Sequence, residues 1–225
     1  MENRQDRCEV ITSDTVSKVK KPWKRGFFYA LFISGSLLLL AVLAVGVYLI
    51  HFFYFREVPP PPETRLIRQH VKHGDIILRS GVGLWSELFR SRNTHDERFS
   101  HVGIVMIEPD GQYFVLHSEG NDITGKGSVY ISTLDDFVQE SELIGIARLK
   151  TIDPALFVEN AKTFLGRPFD HYFDRSETDA IYCTELIDLA LKKTAPGTAL
   201  KVTDDVILPE ACLDETLFTE IPIRN

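Results

Sequence analysis

From Gly26 to Phe55 the chain is one apolar run, GFFYALFISGSLLLLAVLAVGVYLIHFFYF, without Asp, Glu, Lys or Arg. About 20 apolar residues cross a bilayer core, so this run predicts a transmembrane helix. Aromatic residues crowd both of its ends, Phe27 to Tyr29 and Phe52 to Phe55, where interfacial belts form. After Pro59 to Pro62 the apolar runs become short and change period. Asp75–Leu78, Val102–Ile107, Tyr113–His117 and Ile144–Leu149 read as strands. The turn Pro109-Asp110-Gly111 joins the second and third as a hairpin, because Pro presets φ and Gly accepts positive φ. Leu84 to Phe89 has helical spacing. Asp153-Pro154 opens a helix whose apolar residues Leu156, Phe157, Ala161 and Phe164 recur at helical spacing up to Gly166. A further helix runs from about Cys183 to Lys192, and short elements surround Leu213 and Phe218. The pattern predicts an α+β domain, an antiparallel sheet packed by helices, preceded by one transmembrane helix.

Charge sets the boundaries and the orientation. Residues 1–25 hold seven of the 25 Lys and Arg and carry a net +3, whereas the rest of the chain carries −10. Lys18, Lys20, Lys21, Lys24 and Arg25 crowd one flank of the apolar run, and Arg56 stands alone on the other. The positive-inside bias then leaves the N-terminus in the cytoplasm of a single-pass inner-membrane protein and the rest periplasmic or extracellular. A cleaved signal peptide is the competing reading. It requires a shorter apolar region and a small-residue cleavage site, but bulky Phe52 to Phe55 and a proline run follow here. The chain divides into a basic tail (1–25), a transmembrane helix (26–55) in contact with membrane lipid, a Pro-rich linker (56–65) and a folded domain (66–225). The acidic body lacks the clustered bases that nucleic acid needs. Three cysteines, Cys8, Cys183 and Cys212, make neither a disulfide framework nor a Cys-x-x-Cys zinc site.

Two segments carry candidate chemistry. Ser100-His101-Val102-Gly103 puts a histidine at the start of the first hairpin strand. The hairpin returns His117, Ser118 or Glu119 beside it, according to register. His117 and Glu119 share a strand face, so either could orient an imidazole. Tyr182-Cys183-Thr184-Glu185 puts a thiol at the mouth of an amphipathic helix, where free N–H groups and a nearby imidazolium are expected to lower its pKa. Nucleophile, base and orienting group are the parts of a cysteine hydrolase.

Taken together, Gly74-Asp75-Ile76-Ile77, Ser100-His101-Val102-Gly103-Ile104 and Gly166-Arg167-Pro168-Phe169-Asp170 through Tyr182-Cys183-Thr184-Glu185-Leu186 resemble the permuted papain-like amidases of the YaeF/YiiX group, within the NlpC-like superfamily. The resemblance spans residues 66 to about 221. It implies a circularly permuted papain-like (NlpC-like) core in which the base precedes the nucleophile. His101 then serves as base, Cys183 as nucleophile and His117 as third member, with Glu119 as the alternative. The Cys183 N–H is expected to help hold the oxyanion, and Tyr182 either lines the cleft or packs in the core. Thr184 stands where the group usually has Ser. No cofactor or metal is implied. His70-x-x-His73 lacks ligand partners, and Asp170, Asp174 and Asp179 lack calcium-loop spacing. The expected activity is hydrolysis of an amide, in a cell-wall peptide or a lipid-linked acyl group. The alternatives are a lipid acyltransferase or thioesterase of the same fold, and a catalytically idle binding module.

Overall fold

The computed structural model describes residues 23–51, 59–121, 124–176 and 179–223. The basic tail therefore lies almost wholly outside the described residues, as do Cys8 and the aromatic run from Phe52 to Phe55. The chain forms two compact units, which divide between Arg56 and Glu57. The first is α1 (Trp23–Ile50), whose stretch Gly26–Ile50 is long and apolar enough to cross a membrane.

The second unit begins with α2 (Thr64–His70), which starts inside the range read as linker and ends at the first histidine of His70-x-x-His73. The histidines of that stretch serve the backbone. His70 Nδ1 lies 2.8 Å from the Leu66 carbonyl, and His73 Nδ1 accepts the Ile107 N–H at 3.1 Å. There follow β1 (Ile76–Gly81), α3 (Leu84–Arg90), β2 (His101–Ile107), β3 (Tyr113–Gly120), β4 (Gly127–Thr133), α4 (Leu134–Gln139) and β5 (Ser141–Leu149). Next come α5 (Pro154–Lys162), α6 (Cys183–Thr194), a 3-10 helix (Pro209–Leu213) and β6 (Phe218–Glu220). Asp153 caps α5 by accepting the N–H groups of Ala155 (2.9 Å) and Leu156 (3.1 Å), an arrangement that contributes about 1 kcal/mol.

The strands form one antiparallel sheet in the order β4-β3-β2-β1-β5-β6. Alternation along each strand feeds two cores. Ile76, Leu78, Val102, Ile104 and Leu116 face α5 and α6, against Phe157, Leu186 and Ile187. Ile77, Val105, Val115 and Ile146 face the other way, against Ile67 of α2 and Leu134, Phe137 and Val138 of α4. Because both faces are covered, the central strands read as continuous apolar runs rather than alternating ones.

Asp75 closes the N-terminal end of β1. Its carboxylate accepts from Arg148 Nε and Nη2, both at 2.8 Å, and from the Lys72 N–H at 2.6 Å. Asp75→Ala is expected to cost about 3 kcal/mol. That is the low end for a broken buried pair, because the Arg148 left behind is 28% exposed. Urea unfolding of the variant measures it.

Candidate active site

The site lies where the start of α6 meets the ends of β2 and β3. Three hydrogen bonds fix that helix start. Ser118 Oγ on β3 donates to the Ile181 carbonyl (2.6 Å), Thr184 Oγ1 donates to the Ile207 carbonyl (2.6 Å), and the Ile207 N–H donates to the Tyr182 hydroxyl (3.0 Å). Tyr182 is thereby a buried wall that ties residues 206–208 to α6. Thr184, the departure from the usual Ser, does the same with its hydroxyl.

On the opposite side, the β2–β3 pairing runs from Ile107↔Tyr113 to Ile104↔Leu116. Beyond that, β3 continues pairing with β4 as far as Gly120↔Gly127. Here the backbone N–H groups of Val102 and Thr184 favour the charged form of the Cys183 thiol. His101 is paired with Arg79 across β1 and lines the same narrow cavity, of about 80 Å3, as Cys183, Arg79 and Glu119. Phe169, Phe173 and Tyr182 supply its apolar walls.

His101 Nε2 lies 3.0 Å from His117 Nδ1, and His117 Nε2 lies 3.1 Å from Ser132 Oγ on β4. Gly103 makes room for this pair: a Cβ there would meet Val115 Cγ1 at 2.4 Å and His117 Cβ at 3.2 Å. Glu119 is otherwise engaged. It pairs with Arg79 through one oxygen and accepts from the Tyr130 hydroxyl (2.9 Å) through the other, which lies 3.6 Å from His117 Nδ1. Arg79 also bonds Glu140 at 3.0 Å and lies 4.7 Å from the Phe137 ring centroid.

Burial decides the charge states. It pushes the Cys183 thiol up to about 11, against the two backbone N–H groups that pull it down; Glu119 adds to the rise and Arg79 opposes it. Burial holds both imidazoles well below 6.5, helped by Arg79 at His101 and chiefly by His101 at His117. The expectation of a depressed thiol pKa is therefore corrected: desolvation outweighs the helix start, and no imidazolium is present to help. The resting pair is a neutral thiol and a neutral imidazole. Cys212 is a second buried free thiol, with its pKa raised by burial.

Next to Cys183, Glu185 reaches back to the Tyr182 N–H, and its Oε2 is buried without a hydrogen-bond partner. Burial pushes this carboxyl up to about 7. A raised carboxyl costs stability as pH climbs from its unfolded value of 4.5 through 7. Glu185→Gln is therefore expected to raise the melting temperature more at about pH 8 than at about pH 5. Equal shifts at both pH values would contradict this charge assignment.

His101, His117, Glu119 and Cys183 were all candidates from sequence, and they meet around one strand end. Arg79, Tyr130, Ser132 and Glu140 were not. Arg79 was legible only as a cation in a run that keeps its strand period, two residues after Ile77. Three metal-capable atoms, from His101, His117 and Glu119, lie within 4.8 Å of one another, although no ligand motif in the sequence points to them. Asp170 accepts the N–H groups of Tyr172 (2.9 Å) and Asp174 (2.7 Å), a turn-forming role.

Residues 70–211 match the family described as permuted papain-like amidase enzyme, YaeF/YiiX, C92 family. The chain belongs to this family. Its fold is also that of a solved structure described as metalloprotein yiiX from Escherichia coli O157:H7, with a TM-score of 0.56 at 17% identity. That likeness covers 69% of this chain and 98% of the other. The search of curated proteins returned no match. Membership of an amidase family supports a hydrolase-type activity, with the permuted order that sets His101 ahead of Cys183 in the chain.

Proposed function

We propose that this protein is a membrane-anchored cysteine hydrolase that cleaves an amide, with Cys183 as nucleophile, His101 as base and His117 as orienting residue. The observation that carries the reading is that His101, whose Nε2 lies 3.0 Å from His117 Nδ1, lines the same cavity as Cys183. With His117 Nε2–H donating to Ser132 Oγ, His117 Nδ1 accepts from His101 Nε2–H. His101 Nδ1 is then the free base nitrogen for Cys183.

Because thiol and imidazole both rest neutral, attack is coupled to proton transfer. Cys183 Sγ bonds to the substrate carbonyl carbon as its proton passes to His101 Nδ1. The N–H of Cys183, a first-turn donor with no partner inside the helix, is available to the oxyanion. His101 hands the proton to the leaving amine, and water, deprotonated by the same nitrogen, cleaves the thioester. Helix α1 supplies the anchor, with the basic tail on the cytoplasmic side and the catalytic unit on the other.

The experiment presents the detergent-solubilised full chain with labelled murein peptides and N-acyl lipids, next to Cys183→Ala. Release of amine by the wild type alone supports the reading; equal release by both overturns it. A second reading, acyl transfer between lipids, is favoured by the cavity's apolar walls, including Phe169, Phe173 and Ile207, which suit an acyl chain. It predicts label moving to an added lipid acceptor faster than to water.

A further inference from the structure

We propose that His101, His117 and Glu119 form a binding site for one divalent transition cation of the zinc class, whose occupancy switches the hydrolase off. The site stands on its own geometry; the switch rests on the catalytic roles proposed for His101 and Cys183.

Zinc binds imidazole nitrogen and carboxylate oxygen tetrahedrally at about 2.0–2.2 Å, so its ligand atoms lie about 3.3–3.6 Å from one another. His101 Nε2 and His117 Nδ1 are 3.0 Å apart, and Glu119 Oε2 is 3.6 Å from His117 Nδ1. The donor set is therefore already gathered. Its supports have the form of an outer coordination shell. Ser132 Oγ stands 3.1 Å from His117 Nε2 and favours the tautomer with a lone pair on Nδ1, while the Tyr130 hydroxyl holds the Glu119 carboxylate at 2.9 Å.

Charge and access agree with a cation. The single guanidinium of Arg79 faces two carboxylates, Glu119 and Glu140, and keeps its 3.0 Å bond to Glu140 if Glu119 turns to a metal. Glu119 and Tyr130 also line a shallow surface cavity of about 520 Å3, a route for the ion and a source of water for the remaining coordination position.

Binding changes one proton's place. In the tautomer of the proposed mechanism, one proton lies between His101 Nε2 and His117 Nδ1, which are 3.0 Å apart. A cation bonded to both nitrogens takes that position, and the His101 proton moves to Nδ1, so no net proton is lost. His101 Nδ1 is the nitrogen that must accept the Cys183 proton. The bound ion thus forces the base into the tautomer that cannot act.

The test loads chelator-stripped full-length protein in detergent with zinc chloride by equilibrium dialysis. One zinc per chain is expected in the wild type and in Cys183→Ala, with binding weakened by more than about tenfold in His117→Gln and in Glu119→Gln. Unchanged circular dichroism shows that these variants are folded. Zinc X-ray absorption should show two imidazoles and oxygen. A sulfur shell near about 2.3 Å, or loss of zinc in Cys183→Ala, would move the ion to the thiol and overturn the site. Failure of the wild type to take up stoichiometric zinc overturns it as well. The switch is read separately: amide cleavage by the stripped wild type should fall as one equivalent of zinc is added. Undiminished cleavage with zinc bound overturns the switch. Zinc uptake by a stripped protein that cleaves nothing removes the hydrolase reading, and the switch with it, while leaving the site.

Discussion

His101→Ala is expected to lower the rate of amide cleavage by about 10³-fold while leaving the fold intact. The size follows from the resting charge states. Burial pushes Cys183 up to about 11, so a negligible fraction of thiolate is present at neutral pH without a base to generate it. An enzyme with a preformed thiolate would retain nucleophilicity after losing its histidine; this one would not. The loss should fall on kcat rather than KM, since His101 acts on the proton and not on substrate binding. The pH dependence carries a second signature. The base must be neutral, and His101 titrates well below 6.5, so the wild-type rate should hold on the acid side of 6.5 and fall only when His101 protonates. The same depression makes stability full above the unfolded value of 6.5 and progressively lost as pH falls toward the folded value. Thermal melts across that window, with and without His101, measure that share.

His117→Ala is expected to cost about 10²- to 10³-fold, also in kcat. Without an acceptor at His117 Nδ1, His101 is free to hold its proton on the wrong nitrogen. His117→Gln returns an acceptor oxygen near that position and should recover part of the loss. Glu119→Gln distinguishes the two candidates for the third place. Glu119 already serves Arg79 and Tyr130, and lies 3.6 Å from His117 rather than against His101. Its loss of charge should cost much less than loss of His117. If Glu119→Gln were the more damaging, the orienting role would pass to Glu119.

The parts of this molecule that were legible in the sequence share a physical cause: their local signal and their tertiary environment agree. Asp153-Pro154 caps a helix in any context, and Pro109-Asp110-Gly111 turns a hairpin, with Gly111 at φ +83. The apolar runs of β2 and β3 are covered on both faces, so their sequence is unambiguous. Strand β4 is not legible because it is the sheet edge, where only Val129 is buried and Gly127, Ser128, Tyr130, Ile131, Ser132 and Thr133 are exposed or half-buried. Helix α4 is six residues long, too short to show a period. The histidine pair was half legible. Strand alternation put His117 and Glu119 on one face, but choosing between them needed the register and the neighbours Arg79, Tyr130 and Ser132, which arrive from β1 and β4. The thiol pKa was misjudged because a helix start is visible in sequence and the depth of burial is not.

Whether Cys183 carries the acyl group is read by acid-quenching the full-length protein during turnover and mapping its peptides by mass. An acyl adduct is expected on the peptide containing Cys183, released by hydroxylamine as a thioester and missing in His101→Ala. Turnover with the adduct on another residue, or cleavage that persists in Cys183→Ala, would contradict it.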